Sequence, residues 1–224
     1  MENISKENNV KYLKEFSKEE LLNYLKNESQ QTIKLKVKSK EEIIEVVSFV
    51  KEQNNINEEK IKLNFSIFEV SEVKDFSYLF KTVNKILNNE EFSYLGLANW
   101  DVSNATNMEG MFEISKEFNE DISNWKVQNV TNMSRMFYDA WIFSQEINNW
   151  DVSNVTDMSY MFYGAISFDQ PLNNWNVSKV TDMSGMFSGA CNFNKPLNKW
   201  DTSNVENMRE MFRYAEYFNQ NINN

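Results

Sequence analysis

Apolar side chains recur every 25 residues over the second half of the chain. Each copy contains one tryptophan, two methionines three residues apart, a phenylalanine directly after the second methionine, and another phenylalanine six residues later. Five copies keep this pattern, and their tryptophans are Trp100, Trp125, Trp150, Trp175 and Trp200. So many positions in register identify a repeat architecture.

A sixth, degenerate copy precedes these five. The run from Phe68 to Phe80 aligns without a gap onto Trp150 to Phe162, but it reaches the next tryptophan after 32 residues rather than 25. We therefore expect seven extra residues near residues 81–92. Such divergence is typical of a terminal repeat, because one of its sides stacks on a cap.

The hydrophobic period changes within each copy. From Leu172 to Val177 apolar and polar side chains alternate, which predicts a short strand with Trp175 and Val177 facing inward. From Val180 to Ala190 the apolar side chains are spaced by three and four residues, which predicts one or two turns of helix. We therefore expect one strand and one short helix in every copy.

A strand and a short helix cannot bury their apolar sides alone, so neighbouring copies must stack. Parallel pairing at about 4.8 Å then aligns identical side chains into ladders that form one core. The predicted fold is α/β: a leucine-rich-repeat-like solenoid with a parallel β-sheet on one face and short helices on the other. A tryptophan row that stayed half exposed would instead suit stacking on sugars or peptides. Trp141, the only tryptophan outside the ladder, is a candidate surface residue.

The first 60 residues do not repeat and are expected to form an α/β cap that seals the first repeat, with a separate functional domain as the alternative. Capping boxes at Ser17–Glu20 and Ser39–Glu42 predict two helix starts. Thr32–Lys38, which alternates strictly, and Lys60–Phe65 predict strands. The expected organisation is a cap over residues 1–60, a degenerate repeat with an insertion over 61–99, and five repeats over 100–224.

Composition narrows the possible chemistry. The chain has no histidine, which excludes a Ser-His-Asp triad and a histidine-based zinc site. Its single cysteine, Cys191, cannot form an internal disulfide and stands at a variable position of the repeat, which favours a semi-exposed location. Asp and Asn oxygens suit calcium, but the acidic row beside the tryptophans is interrupted by Lys126. We therefore expect no enzymatic activity, no cofactor and no metal.

Charge is distributed unevenly along the chain. Residues 1–90 carry 15 basic and 16 acidic groups, a net of −1, whereas residues 91–224 carry 8 basic and 17 acidic groups, a net of −9. An acidic surface repels phosphate backbones, so nucleic acid is disfavoured and a cationic protein partner is expected, although solubility alone would also explain the charge. In the cap, Lys34, Lys36 and Lys38 share one strand face and are expected to protect a sheet edge.

The chain ends suggest two further expectations. No apolar run approaches the roughly 20 residues that span a bilayer, and the start MENISKENNV has no apolar core or lipidation cysteine, which predicts a cytoplasmic protein unless a leader has been removed. The sequence stops one residue before the next tryptophan would fall. An uncovered solenoid end there would favour end-to-end self-association or cover by a partner.

Candidate binding residues flank each tryptophan. Outward strand positions of a curved solenoid form its concave face, and here they give a flat polar surface with an acidic bias, which is typical of protein recognition. These candidate residues are Asp101, Ser103, Asn124, Lys126, Gln128, Asn149, Asp151, Ser153, Asn174, Asn176, Ser178, Lys199, Asp201 and Ser203.

The motifs W-D-V-S-N-V-T-D-M-S-Y-M-F at Trp150–Phe162 and F-D-Q-P-L-N-N-W at Phe168–Trp175 resemble the BspA-like leucine-rich-repeat family. That family includes the repeat of unknown function common in mycoplasma surface lipoproteins, and the resemblance covers roughly residues 67–224. It implies a leucine-rich-repeat fold, no enzymatic activity, and adhesion-type protein binding at the cell surface or after secretion. An intracellular regulator, inhibitor or immunity-type protein that binds a cationic partner is the alternative function, and glycan binding is a further alternative.

Overall fold

A computed structural model of the chain describes residues 10–26, 34–56, 64–87 and 94–222. Helices and strands of more than one residue lie in the first half of this range, and the three strands form one parallel sheet in the order β1-β2-β3. In chain order the elements are β1 (Val10–Tyr12), α1 (Lys18–Lys26), β2 (Lys34–Lys36), α2 (Lys40–Ile56), β3 (Phe68–Glu69) and α3 (Leu79–Leu87). Short 3-10 turns occupy Leu13–Glu15, Phe65–Ile67 and Leu97–Asn99.

The two predicted helices of the N-terminal region are present. At the start of α1, the Ser17 amide donates to the Glu20 carboxylate at 2.7 Å and the Glu20 amide donates to the Ser17 hydroxyl at 3.2 Å, which confirms the first capping box. Helix α2 begins at Lys40, and the Glu42 carboxylate accepts the amide of Lys38 at 2.8 Å. The apolar side chains of α1 and α2 join the same core as the repeats.

The sheet differs from the prediction in two respects. Strand β2 pairs with β1 on one side and β3 on the other, so its lysines do not protect an edge. Instead, Lys36 forms ion pairs with Glu72 at 2.9 Å and Glu69 at 3.6 Å. Residues 32–33 and 60–63 of the two predicted strands lie outside the described residues. Phe65 belongs to a 3-10 turn, and the strand that follows begins at Phe68.

Backbone hydrogen bonds join each 25-residue unit to the next. We number the units 1 to 5 by their tryptophans, from Trp100 to Trp200. In units 1 to 4, four alternate amides donate to carbonyls of the following unit at 2.7–3.0 Å, and we call these bonds the inter-unit ladder. In unit 2 the donor–acceptor pairs are Met133–Asp157, Arg135–Ser159, Phe137–Met161 and Asp139–Tyr163. Parallel bridges such as Asn132–Asp157 accompany the ladder.

The degenerate unit uses the same ladder. The amides of Phe76, Tyr78 and Phe80 donate to unit 1 at 2.8–3.0 Å, at the positions that the gap-free alignment predicts. Beyond Phe80 the pattern changes, because α3 continues as a helix to Leu87. This helix occupies part of the region where the seven extra residues are expected, and residues 88–93 lie outside the described part of the chain.

The helix predicted for Val180 to Ala190 is wrong. The segment is a series of turns, in which the Met186 amide donates to the Met183 carbonyl at 3.2 Å and the Ala190 amide to the Phe187 carbonyl at 3.0 Å. Each unit has two residues with positive φ, four positions apart, which interrupt any helix. They are Gly110 and Ile114, Arg135 and Asp139, Tyr160 and Gly164, Gly185 and Gly189, and Glu210 and Tyr214.

The strand predicted for Leu172 to Val177 is also wrong. The Trp175 amide donates to the Leu172 carbonyl at 3.1 Å and the Val180 amide to the Val177 carbonyl at 2.9 Å, so both ends of this segment turn. Both local predictions are therefore wrong. Parallel pairing runs through the methionine segment, and the tryptophan segment consists of turns.

The apolar ladders form the core, as predicted. The five repeat tryptophans are 2–4% exposed, and neighbouring rings such as Trp125 and Trp150 lie nearly parallel at 6.5 Å. Each indole donates to a backbone carbonyl earlier in the chain, which from Trp125 to Trp200 lies 28 residues back, for example Trp150 to Ile122 at 3.2 Å. Because the row is buried, it cannot stack on sugars, and only Trp141 is exposed, at 42%. In unit 5, Met208 is also exposed, whereas its counterparts in units 1 to 4 are buried.

The positive φ angles predict unequal effects of two glycine substitutions in unit 4. A Cβ at Gly185 would meet the Tyr160 ring at 2.5 Å, whereas a Cβ at Gly189 has no contact closer than 3.6 Å. We expect Gly185→Ala to lower the free energy of unfolding by about 3 kcal/mol, from backbone strain and overlap. Gly189→Ala should cost about 1 kcal/mol, from strain alone. Equal losses in urea unfolding would contradict this packing.

The indole hydrogen bonds predict a difference between buried and exposed tryptophans. Trp150→Phe removes the bond to the Ile122 carbonyl and leaves a small cavity, so we expect a loss of about 2 kcal/mol in unfolding free energy. Trp141→Phe, at the exposed ring, should change it by less than about 0.5 kcal/mol. Chemical denaturation followed by circular dichroism measures both, and a larger loss for Trp141→Phe would refute the assignment.

Candidate functional site

The predicted binding residues beside the tryptophans all lie at the surface, exposed or half-buried. They do not sit on strands, because the tryptophan segments form turns. The concave strand face on which the prediction placed them therefore has no counterpart in the secondary structure of these residues. These residues instead lie in the turns on either side of each tryptophan.

Several of these side chains stabilise their own turn. The Asp151 carboxylate accepts the Ser153 amide at 3.1 Å, and hydrogen bonds from the hydroxyl and amide of Ser153 hold the pKa of Asp151 below its usual range. The lysine at this position in unit 2, Lys126, has no oxygen to offer. In the same way, the side-chain oxygens of Asp101, Asn176 and Asp201 accept the amide of the serine two residues later. Turn formation thus accounts for much of this polar row.

A different group of side chains converges on the outer face of the inter-unit ladder in units 2 and 3. The Tyr138 amide donates to the Arg135 carbonyl and the Tyr163 amide to the Tyr160 carbonyl, both at 3.1 Å, so each pair closes one turn. The ladder bond from the Arg135 amide to the Ser159 carbonyl holds the two turns side by side. We call Arg135, Tyr138, Trp141, Tyr160 and Tyr163 the aromatic patch.

Within the aromatic patch the guanidinium lies against two rings. The Cζ atom of Arg135 is 5.1 Å from the ring centroid of Tyr138 and 5.0 Å from that of Tyr160. The Tyr138 and Tyr163 rings stack at 4.5 Å with an 8° angle between their planes, and Tyr160 lies 6.1 Å from Tyr163. All four side chains are half-buried. Cation–π and stacking contacts therefore restrict each of them to one arrangement.

Small residues of unit 4 make room for these tyrosines. The Tyr160 ring lies where a Cβ of Gly185 would be, and burial leaves Ser184 and Ser188 only 4% and 2% exposed. The degenerate unit and unit 1 show the same complementarity, since the Tyr78 ring lies over Gly110. A tyrosine in one unit thus depends on glycine in the next.

Trp141 extends the aromatic patch along unit 2. The Lys116 Nζ lies 3.8 Å from the centroid of its ring, and the ring is 42% exposed. Burial raises the pKa of the adjacent Asp139 carboxyl, and Lys116 and the Trp141 indole oppose this by favouring the charged form. Exposed Ile142 and Ile166 on neighbouring positions add apolar surface. The patch therefore combines aromatic, aliphatic and cationic groups.

A second polar cluster lies where the degenerate unit meets unit 1. The Tyr78 hydroxyl donates to the Glu109 carboxylate, and burial together with this carboxylate raises the pKa of Tyr78 to about 12. Lys81 pairs with Glu113 at 2.8 Å. The other Glu113 oxygen, Oε2, is buried and accepts no hydrogen bond from the described residues. Glu109 and one oxygen of Glu113 are thus engaged by side chains of the protein itself.

The remaining chemistry-bearing groups are few. Cys191 is half-buried as expected, and its Sγ donates to the Gly189 carbonyl at 3.4 Å. Among the residues the structure describes, no three cysteine, aspartate or glutamate side chains come together to hold a metal ion. In the same residues, no helix has the length and apolarity needed to cross a membrane.

Four of the five patch residues, all except Trp141, were not predicted from the sequence. Arg135 and Tyr160 occupy a repeat position that is glycine in units 1 and 4, and Tyr138 and Tyr163 occupy one that is otherwise glutamate, serine or arginine. Departure from the repeat consensus at these positions was the available signal. The predicted helix hid this signal, because helical residues have negative φ and need no glycine at these positions.

The repeat region matches a known family model. The model described as Mycoplasma protein of unknown function, DUF285, matches residues 45–155 and 141–224, which together cover more than half of the chain. No curated protein and no solved structure matches the chain.

The raised pKa of Tyr78 predicts a loss of stability at alkaline pH. Its pKa is about 12 in the folded protein against an ordinary value of 10.0, so the folded state favours the neutral phenol. The contribution of Tyr78 is complete below pH 10 and is lost as the pH rises from 10 to 12. Unfolding free energy measured between pH 8 and 11.5 should therefore fall less steeply in Tyr78→Phe. Tyr217→Phe, at an exposed ring, serves as the control, and a matching change in its slope would contradict the assignment.

Proposed function

The chain belongs to the DUF285 family of Mycoplasma proteins of unknown function, and we propose that it is a non-enzymatic scaffold that binds another protein. In this proposal the units form a leucine-rich-repeat-like solenoid of the BspA-like kind. Parallel bridges and the inter-unit ladder recur every 25 residues, which supports this architecture. Such a scaffold holds side chains of successive units in fixed rows.

The aromatic patch is the observation that carries the proposal. Tyrosine, tryptophan and arginine are the residues that most often dominate binding energy at protein interfaces. Here the Tyr138 and Tyr163 rings stack on each other and the Arg135 guanidinium lies over Tyr138 and Tyr160, so these side chains have little freedom left to lose on binding. The side chains that would contact a partner are therefore already in their binding arrangement before the partner arrives.

Backbone strain accompanies this patch but is not confined to it, since Tyr78 and Glu210 occupy the same repeat position at φ 55° and 59°. Arg135 and Tyr160 adopt φ angles of 56° and 57°, at a position where units 1 and 4 have glycine. A non-glycine residue there costs about 1 kcal/mol, and Asp139, at φ 52°, pays a similar cost. The strain is therefore a property of the repeat and does not by itself mark a binding site.

Adhesion-type recognition outside the cell is the leading form of this function, on the resemblance of the repeats to surface proteins. An intracellular regulator that occupies a partner's surface would use the same aromatic patch. The nature of the captured partner separates the two forms. The polar row beside the tryptophans supplies a second surface to test in the same experiment.

We expect the aromatic patch, and not the polar row, to be needed for partner capture. Immobilised chain is challenged separately with extracellular matrix proteins and with lysate of the producing cell. One variant combines Arg135→Ala with Tyr163→Ala, and a matched variant changes Asp101, Asp151 and Asp201 to Lys. Binding of a specific partner should weaken about thirtyfold in the first variant, as for the loss of interface hot spots, and remain within a few-fold in the second.

Each other outcome has a defined meaning. Loss of binding only in the lysine variant would assign the site to the polar row. Capture of matrix protein supports the adhesin form, and capture of a cellular protein supports the regulator. Failure to capture a specific partner from either source would contradict protein binding, provided that near-ultraviolet circular dichroism shows all three proteins folded.

A further inference from the structure

Arg135 differs from the other two arginines of the chain. In unit 5, Arg213 pairs with Glu210 at 3.1 Å and donates to the Tyr214 hydroxyl at 2.9 Å, and Arg209 lies 3.6 Å from Glu210. The Arg135 guanidinium makes no hydrogen bond or ion pair with any residue that the structure describes. It lies over the Tyr138 and Tyr160 rings, and it also interacts electrostatically with Tyr78.

The carboxylates on the ladder face near Arg135 are engaged elsewhere. Glu109 accepts the hydroxyl of Tyr78, and its other oxygen accepts the Asn132 side-chain amide at 3.4 Å. Two further carboxylates interact with lysines. Glu113 forms an ion pair with Lys81 through one oxygen, and Asp139 interacts electrostatically with Lys116. The region from residue 91 to 224 has a net charge of −9, yet none of its carboxylates is paired with this guanidinium in the described structure.

From this arrangement we infer that Arg135 is the anchor for a carboxylate of the protein partner, an inference that rests on the proposed protein-binding function. A guanidinium held over ring faces makes no conventional hydrogen bond to them, so its N–H groups remain available. Those groups match a carboxylate with two parallel hydrogen bonds.

The partner segment that fits has one acidic residue flanked by basic ones. Net charge acts at long range and attracts a cationic segment to residues 91–224, as the sequence predicts. The guanidinium acts at contact distance and selects a carboxylate within that segment. A uniformly cationic segment would leave Arg135 unpaired, and a uniformly acidic one would be repelled before contact.

Nuclear magnetic resonance can observe this contact directly, because the chain has three arginines and hence three side-chain Nε–H signals. The full chain is titrated with a peptide in which one glutamate is flanked by lysines, and with the same peptide carrying glutamine or phosphoserine instead. We expect the Arg135 signal to shift and saturate with the glutamate peptide, while the Arg213 signal stays in place. The glutamine peptide should bind at least about tenfold more weakly.

Two variants make the test specific. Arg135→Lys keeps the charge and loses the two-pronged geometry, so the glutamate peptide should bind about tenfold more weakly. Arg213→Lys, whose donors are already engaged, should leave binding unchanged. Thermal unfolding of both variants shows whether the fold is retained.

The inference is overturned by equal binding of the glutamate and glutamine peptides, by the absence of a saturable Arg135 shift, or by tighter binding of the phosphoserine peptide. Partner capture separates this failure from that of the proposed function. If Arg135→Lys captures the partner as well as the native chain does, the carboxylate anchor is wrong and protein binding stands. If the glutamate peptide saturates Arg135 but no partner is captured, only the proposed function fails.

Discussion

The inter-unit ladder depends on a backbone conformation that is rare outside glycine. Two residues per unit adopt positive φ, and four alternate amides of the same segment point to the following unit. A helix would use those amides within its own turn and leave nothing to join the units. The cost of about 1 kcal/mol at each strained residue is offset by the hydrogen bonds and the ring stacking that the close approach permits.

The ladder also determines which side chains become neighbours. Side chains at the same position of successive units stack, so the core consists of rows of one residue type, such as the buried tryptophans. At the surface, side chains at the same position of successive units also lie next to one another. Tyr160 can lie flat only because unit 4 has Gly185 beneath it, and Arg135 meets two rings only because units 2 and 3 carry tyrosines. The aromatic patch is therefore a local departure from the repeat sequence, on a backbone that repeats regularly.

Two kinds of electrostatic information act on different scales here. The net charge of −9 over residues 91–224 describes the long-range field, and it says little about any single contact. Asp151 contributes to that charge, yet its carboxylate also closes a turn by accepting the Ser153 amide. Arg135 opposes that charge and has its hydrogen-bonding edge free of protein partners among the described residues. In the proposed binding to a protein partner, the groups that remain unsatisfied therefore matter more than the sum of charges.

The sequence by itself determined the 25-residue period, the buried tryptophan, methionine and phenylalanine rows, the first capping box and the exposure of Trp141. These follow from periodicity and from hydrogen bonds between residues close in the chain. Only the tertiary structure decided how the methionine segment folds, because Met183, Met186 and Phe187 have the same spacing in a helix and in consecutive turns. Left-handed residues such as Arg135 and Tyr160 carry no local signature, since a stack of neighbouring units imposes their conformation. The aromatic patch could not be assembled from the sequence for the same reason: its members become adjacent only after the ladder sets them side by side.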